Sequence, residues 1–312
     1  MRLPKFEYIE PTGLKEASSI LIKEGGARIL AGGTDMLVNM KHRVDLPSLI
    51  VNIKKIPGLD SIRKENGTLK IGALTPLKQV SVNPDVLKFA PGLAQAASSV
   101  GSYHHQTMGT IGGNICQQNR CKYFNQSKWW RSSRELCFKA GGETCYVVNK
   151  KDICYSSYCG DMAPALLTMN AKVKLVDAQG AREVLLESIF SGDGKNPLNL
   201  KKGEILTEFV LPEDSMKGIS IYRKTANRES IDFPIVGAAL WASKESGSLR
   251  IAFTAVDRKP VVVQGALLTN KVEDIMELAS KSARPVNNSV YSASYKKKMM
   301  GMLVKSMLGE LN

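Results

Sequence analysis

Apolar residues at Leu14, Ala17, Ile20 and Leu21 follow helical spacing, which predicts a short amphipathic helix capped by Thr12 and ended by Gly25-Gly26. Arg28-Ile29-Leu30 then reads as a strand running directly into AGGTD at 31–35. Leu49 to Ile53, after Pro47, reads as a second buried strand, so the opening is a small α/β unit. After a turn at Gly58, strand character resumes over Leu69–Leu74, and a helix beginning after Pro91 carries Leu93, Ala94, Ala96 and Ala97. A small helix or turn is expected over Ala163–Leu167, then strands in AKVKLVDAQG and in ILTEFVLP at 205–212, the latter stopped by Pro212. A boundary is expected near 212–218. Beyond it ISIYRK, IVGAALWA and LRIAFTAV read as one antiparallel sheet, covered by helices over about 271–281 and 288–309. Met299, Leu303 and Met307 form a helical stripe read as core.

Composition narrows the classes. At 312 residues, 43% hydrophobic and 23% charged, the chain is that of an ordinary globular protein, with room for two domains. No apolar run reaches the roughly 18 residues of a membrane span, and MRLPKFEYIEP lacks the apolar stretch of a secretory signal. A cytoplasmic location is the expectation. The net charge of +14 invites a nucleic-acid reading, but the basic residues are spread along the chain and no basic and aromatic positions interleave. A diffuse basic surface fits an acidic protein partner or an anionic substrate better.

Two glycine turns carry candidate chemistry. AGGTD at 31–35 and GTIGGN at 109–114 each set paired glycines beside a threonine and a polar side chain. Such backbone can turn tightly and direct N–H groups at a diphosphate, with Thr34 and Thr110 adding hydroxyls, and Asp35 and Asn114 anchoring the loop or reaching sugar hydroxyls. Each Gly-Gly alone is equally an ordinary tight turn. Neither fits the G-x-G-x-x-G fingerprint or the P-loop, so a NAD-type Rossmann domain and a nucleotide hydrolase lack their signatures. All six cysteines lie between Cys116 and Cys159. Their spacing alone leaves iron–sulfur ligation, structural zinc, free thiols and disulfides open. His104 and His105 precede the second turn; with His42 the only other histidine they make no zinc-hydrolase set, and either contact the cofactor region or brace the turn.

The order AGGTD, IGALTPL at 71–77 and TIGGNI at 110–115, then GDMAPALLTMNAKVKLV at 160–176 and YRKTANRESIDFPIVGAAL at 222–240, resembles the FAD-binding subunit of the xanthine dehydrogenase family of molybdenum hydroxylases, over nearly the whole chain. The resemblance implies an α+β fold: a two-subdomain FAD-binding domain over 1–214, divided at about 55, and a smaller sheet-and-helices domain over 215–312. It implies that Ala31, Gly32, Gly33, Thr34 and Asp35, with Thr110, Ile111, Gly112, Gly113 and Asn114, contact the FAD diphosphate and sugars. Asp161 would position the adenosine or ribitol part. Lys224 would lie near the flavin, where an ammonium favours the charge gained on reduction; otherwise it is a solvated lysine.

Most such subunits pass from GGNI almost directly to the GD motif, whereas here residues 116–159 intervene. NRCKYFNQSKWWR and GETC within them resemble the flavin subunit of the 4-hydroxybenzoyl-CoA reductases, whose inserted loop binds a [4Fe–4S] cluster. By that likeness Cys121, Cys137, Cys145 and Cys154 are the ligands, and Cys116 and Cys159 are surplus, buried and without a redox role. The likeness implies an electron-transfer subunit with no catalytic residue of its own. Its partners would be a molybdenum-cofactor large subunit, a small subunit with two [2Fe–2S] clusters and an acidic ferredoxin-like donor, in a dimer of heterotrimers in an anaerobic cytoplasm. The reaction would be reductive dehydroxylation of 4-hydroxybenzoyl-CoA to benzoyl-CoA. The alternatives are a hydroxylase flavin subunit passing substrate electrons to NAD or another acceptor, and a zinc-stabilised scaffold without catalysis.

Overall fold

The computed structural model describes residues 2–311 and builds them into three sheets. In the first, β1 (Glu7–Ile9), β2 (Ala27–Leu30) and β3 (Leu49–Asn52) lie parallel in the order β1-β3-β2. Helices Leu14–Lys23 and Met36–Lys41 make the two crossovers that parallel pairing demands. Thr12 does not cap the first helix. Gly13 holds that position, and the Thr12 N–H and hydroxyl both donate to Glu16, at 2.8 and 2.9 Å, so the carboxylate in the first turn reaches back past the cap.

The second sheet is antiparallel: β4 (Ile62–Glu65), β5 (Thr68–Gly72), β6 (Lys172–Val176), β7 (Ala181–Leu185) and β8 (Ile205–Leu211), ordered β4-β5-β8-β6-β7. Strand β8 runs through its middle and is buried almost throughout, with Thr207 and Glu208 the two polar residues in an otherwise apolar strand. The edges β4 and β7 carry mostly exposed charged residues, and the apolar pattern gave no warning of either. The third sheet is the antiparallel run β9 (Ile219–Thr225), β10 (Val236–Ser243), β11 (Ser248–Thr254) and β12 (Val261–Val262), in sequence order. Helices Val272–Ser282 and Ala293–Gly309 pack on it, with Leu303 and Met307 buried in the core they share and Met299 half-buried against it.

The central core draws on both sides of residue 214. Leu69, Ile71, Phe209 and helix Met162–Thr168 meet Tyr222 and Trp241, which reach in from the third sheet. Trp241 Nε1 donates to Ser215 O at 2.7 Å, satisfying the only polar atom that its ring would otherwise strand. Phe209 is fully buried at the middle of this core. Phe209→Ala should cost about 3–5 kcal/mol, read as an earlier urea-unfolding midpoint with an unchanged slope.

Candidate functional site

Strand β2 delivers its end, Ala31 to Asp35, against the segment leading into the second glycine turn. A Cβ on Gly32 would stand 2.1 Å from Met108 O and 2.8 Å from Gly109 Cα, so the two backbones meet where only hydrogen fits. Gly33 has φ +74°, the left-handed region that glycine enters without penalty. Among the described residues, no acceptor takes the backbone N–H groups of Gly32 through Met36. They line a cavity of about 430 Å³ whose apolar wall includes Ile29, Val38, Ile53, Leu74, Leu77 and Leu206.

The second turn is built differently. Ile111 N–H donates to Thr75 O at 3.0 Å, Gly112 N–H to Ala73 O at 2.8 Å, Gly113 N–H to the Thr110 hydroxyl at 3.0 Å, and Asn114 N–H to Thr110 O at 2.9 Å. Its backbone donors are therefore spent inside the protein, contrary to the expectation that both turns offer theirs. Thr110, Gly112, Gly113 and Asn114 still line the cavity, whereas the Ile111 side chain is fully buried in the central core. Asn114 Oδ1 accepts from Met162 N–H at 3.0 Å, which fixes the carboxamide and leaves its NH₂ as the free end.

Asp161 reaches the cavity wall from the start of helix Met162–Thr168. Its Oδ1 accepts from Tyr222 OH at 2.7 Å and lies 3.4 Å from Lys224 Nζ. Burial pushes the Asp161 carboxyl upward, and the Lys224 ammonium opposes it. Lys224 does not line the cavity: Nζ also donates to Ser99 O at 3.0 Å and Asp232 O at 2.9 Å, so it stands behind Asp161 as a tie between three chain segments. His105 lines the cavity and meets Ser102 Oγ through Nδ1 at 2.8 Å, combining both expected roles, while His104 is exposed.

Asp35 lines the cavity and also anchors its loop, one of the two roles expected of it. Its carboxylate holds Asn39 Nδ2 at 3.2 Å, Gln118 N–H at 3.4 Å and Arg120 Nη1 at 3.5 Å, joining the first turn to the cysteine segment. Burial pushes Asp35 upward too, against the nearby Arg120 guanidinium. The segment's ends are clamped: Arg120 and Ser157 pair as an antiparallel bridge. Asn119 Nδ2 donates to Ser156 O and Arg258 O, at 2.9 and 2.7 Å. Asn288, from the far side of the third sheet's helices, donates to Arg120 O at 2.9 Å and to Ser157 Oγ at 3.2 Å, and accepts from Lys122 N–H at 3.3 Å. Asn119 and Arg120 open the NRCKYFNQSKWWR fragment, which gave them no role, and Asn288 lies in no motif; their bonding partners identify all three.

All six cysteines are free thiols. Cys121, Cys137, Cys145 and Cys154 are each buried, and burial raises the thiols of Cys121 and Cys154. Cys121 and Cys137 share a small core with Phe124, and Cys154 lies close enough to influence both Cys121 and Cys145 electrostatically. Among the described residues no three His, Cys, Asp or Glu side chains are gathered tightly enough to hold a single metal ion. Lysine and arginine outnumber acidic residues eight to three in 116–159. Cys159 is buried and its thiol pushed up to about 11, as expected of a structural thiol. Cys116, expected to be buried, is solvent-reached at the cavity wall.

Residues 4–214 match the family described as the FAD binding domain in molybdopterin dehydrogenase. The chain belongs to this family. Across the whole chain it is 26% identical to a nicotinate dehydrogenase FAD-subunit of Eubacterium barkeri, with 98% of this chain and 96% of the relative covered. It is 27% identical to the FAD-binding subunit of an aldehyde oxidoreductase of Escherichia coli, with 96% and 97% covered. Its fold superposes on carbon monoxide dehydrogenase of Hydrogenophaga pseudoflava with a TM-score of 0.80 at 25% identity, over 98% of this chain and 96% of that one. The fold is thus the α+β FAD-binding fold of molybdenum-hydroxylase flavin subunits, with its smaller C-terminal sheet and helices. The chain is an FAD-binding electron-transfer subunit of an oxidoreductase of this type.

The cavity fits the cofactor of the family: a row of uncommitted N–H groups suits a diphosphate, and the apolar wall suits flat rings. Gly32→Ala should push the two turns apart and leave the purified protein with little or no FAD, measured as flavin absorbance per chain, while the far C-terminal core stays folded. Asn288→Ala removes one of the two donors to Arg120 O and the donor to the buried Ser157 hydroxyl, at about 1–3 kcal/mol in all. It should speed limited proteolysis within 116–159 with flavin content unchanged.

Proposed function

We propose that FAD lies in this cavity with its diphosphate on the N–H groups of Gly32 through Met36. The observation that carries this reading is that these donors have no partner in the protein and belong to residues that line the cavity, where a diphosphate can accept from them. Thr34 and Asn114 NH₂ stand on the same wall to receive phosphate or sugar oxygens. Asp161 is held by Tyr222 and Lys224 as a fixed acceptor for a hydroxyl of the cofactor, and Lys224 lends its charge from behind that carboxylate. Residues 1–214 form the FAD-binding part and 215–312 the smaller one, although Tyr222 and Trp241 cross into the central core. Bound FAD supplies exchange of electrons singly or in pairs, so it can join one-electron centres to a two-electron donor or acceptor.

The direction of flow is proposed to be oxidative. The relatives above are named as a dehydrogenase and an oxidoreductase subunit, which favours electrons leaving the complex here for NAD or another acceptor. Partners carrying the molybdenum cofactor and two [2Fe–2S] clusters complete such a complex, and substrate chemistry belongs to the molybdenum subunit. Among the described residues no helix is long and apolar enough to cross a membrane.

A second reading rests on the cysteine segment. We propose that Cys121, Cys137, Cys145 and Cys154 hold a [4Fe–4S] cluster. Four buried thiols in a segment rich in cations suit an anionic iron–sulfur group. That centre would also suit the reductase reading, in which an acidic ferredoxin-like protein supplies electrons for dehydroxylation of 4-hydroxybenzoyl-CoA. Anaerobic purification followed by flavin, iron, sulfide and zinc analysis tests both parts. One FAD with about four irons and four sulfides per chain is expected. FAD without iron, from a preparation shown to have lost none, removes the cluster and keeps the flavin subunit; zinc without FAD removes both.

A further inference from the structure

We propose that Lys139 is a positioning charge for the group held by the four cysteines, favouring its reduced form. The inference rests on the cluster reading above and adds a residue outside the ligand set. Lys139 follows Cys137 by two positions, in the short 3₁₀ turn Phe138–Ala140 that starts at that cysteine. Nζ donates to Asn119 O at 2.7 Å and lies 5.5 Å from the centre of the Phe124 ring, which packs with Cys121 and Cys137. Its charge is felt at Cys121, Cys137 and Cys154.

Among the described residues no carboxylate lies within ion-pair distance of Lys139. Asp35 and the Arg120 guanidinium are its other charged neighbours, and Asp35 is itself tied to Arg120, so a cation partly out of water there gains from an anion that completes its surroundings. Thiolate-bound iron–sulfur clusters carry net negative charge, and their potentials follow that charge and the donors around it. Lys139 is placed to meet that need. A fixed positive charge stabilises whichever redox state is the more negative, which is the reduced one.

The test compares wild-type protein with Lys139→Met, which keeps an unbranched chain without charge, and Lys139→Arg, which keeps the charge. Iron, sulfide and FAD are counted for each, and the midpoint potential is read by EPR during anaerobic titration. The expected result is a full cluster in Lys139→Met with its potential shifted lower, and a potential near that of the wild type in Lys139→Arg. Loss of iron from Lys139→Met alone, with FAD retained, also supports a need for the charge. A full cluster at unchanged potential in Lys139→Met overturns this inference and leaves the cluster reading intact. Loss of iron from both variants overturns it as well, because shape and not charge would then be what matters at 139. Wild-type protein without iron or sulfide overturns the cluster reading, and the role of Lys139 with it.

Discussion

The meeting of Gly32 with the backbone of Met108 and Gly109 decides how wide the cofactor cavity is and which donors face it. A side chain on Gly32 would occupy the space now held by a peptide carbonyl, so the first turn cannot retreat from the second without opening the cavity. Held there, the chain swings through Gly33 and leaves a row of N–H groups along the wall. The second turn spends its own donors on Thr75, Ala73 and Thr110. The two turns look alike in sequence and divide the work: one presents donors, the other braces the floor and presents Asn114.

Everything next to the cavity leans on that arrangement. Asp35 sits at the end of the donor row and is the joint to the cysteine segment through Gln118 and Arg120. Asp161 sits across from it and joins the cavity to the third sheet through Tyr222 and Lys224. Both carboxylates are pushed up by burial and opposed by cations, Arg120 and Lys139 at Asp35 and Lys224 at Asp161. Charge in this protein is thus used at seams, where two chain segments must be kept in register.

Much of this was legible in the chain. Strands β2, β3, β5, β6, β8, β9, β10 and β11 announced themselves because each buries apolar side chains, and burial is what an apolar pattern records. Strands β4 and β7 did not, because an edge that carries Arg63, Lys64, Arg182 and Glu183 resembles a loop until its partner is known. The glycine turns were legible as tight backbone, and the family likeness supplied their purpose. The sequence could not tell which of the two would keep its N–H groups, since that depends on Ala73 and Thr75, far off in the chain. Asn288 was invisible for the same reason: its partners lie more than a hundred residues earlier. Thr12 was misread because Glu16 offered it a better acceptor than the helix offered a donor.

The bridge between Arg120 and Ser157 has a further consequence. Paired residues of neighbouring strands stand about 5 Å apart, so the excursion from 121 to 156 leaves and returns at nearly one point of the main body. The entropy of closing that loop is met at the clamp around its neck and at Arg131, whose guanidinium donates to the His42 and Arg43 carbonyls. The thiol-bearing part is thus an excursion with two moorings, its neck and the carbonyls just past the helix Met36–Lys41, so the wall beside the first glycine turn and the thiol core are held by the same short stretch of chain.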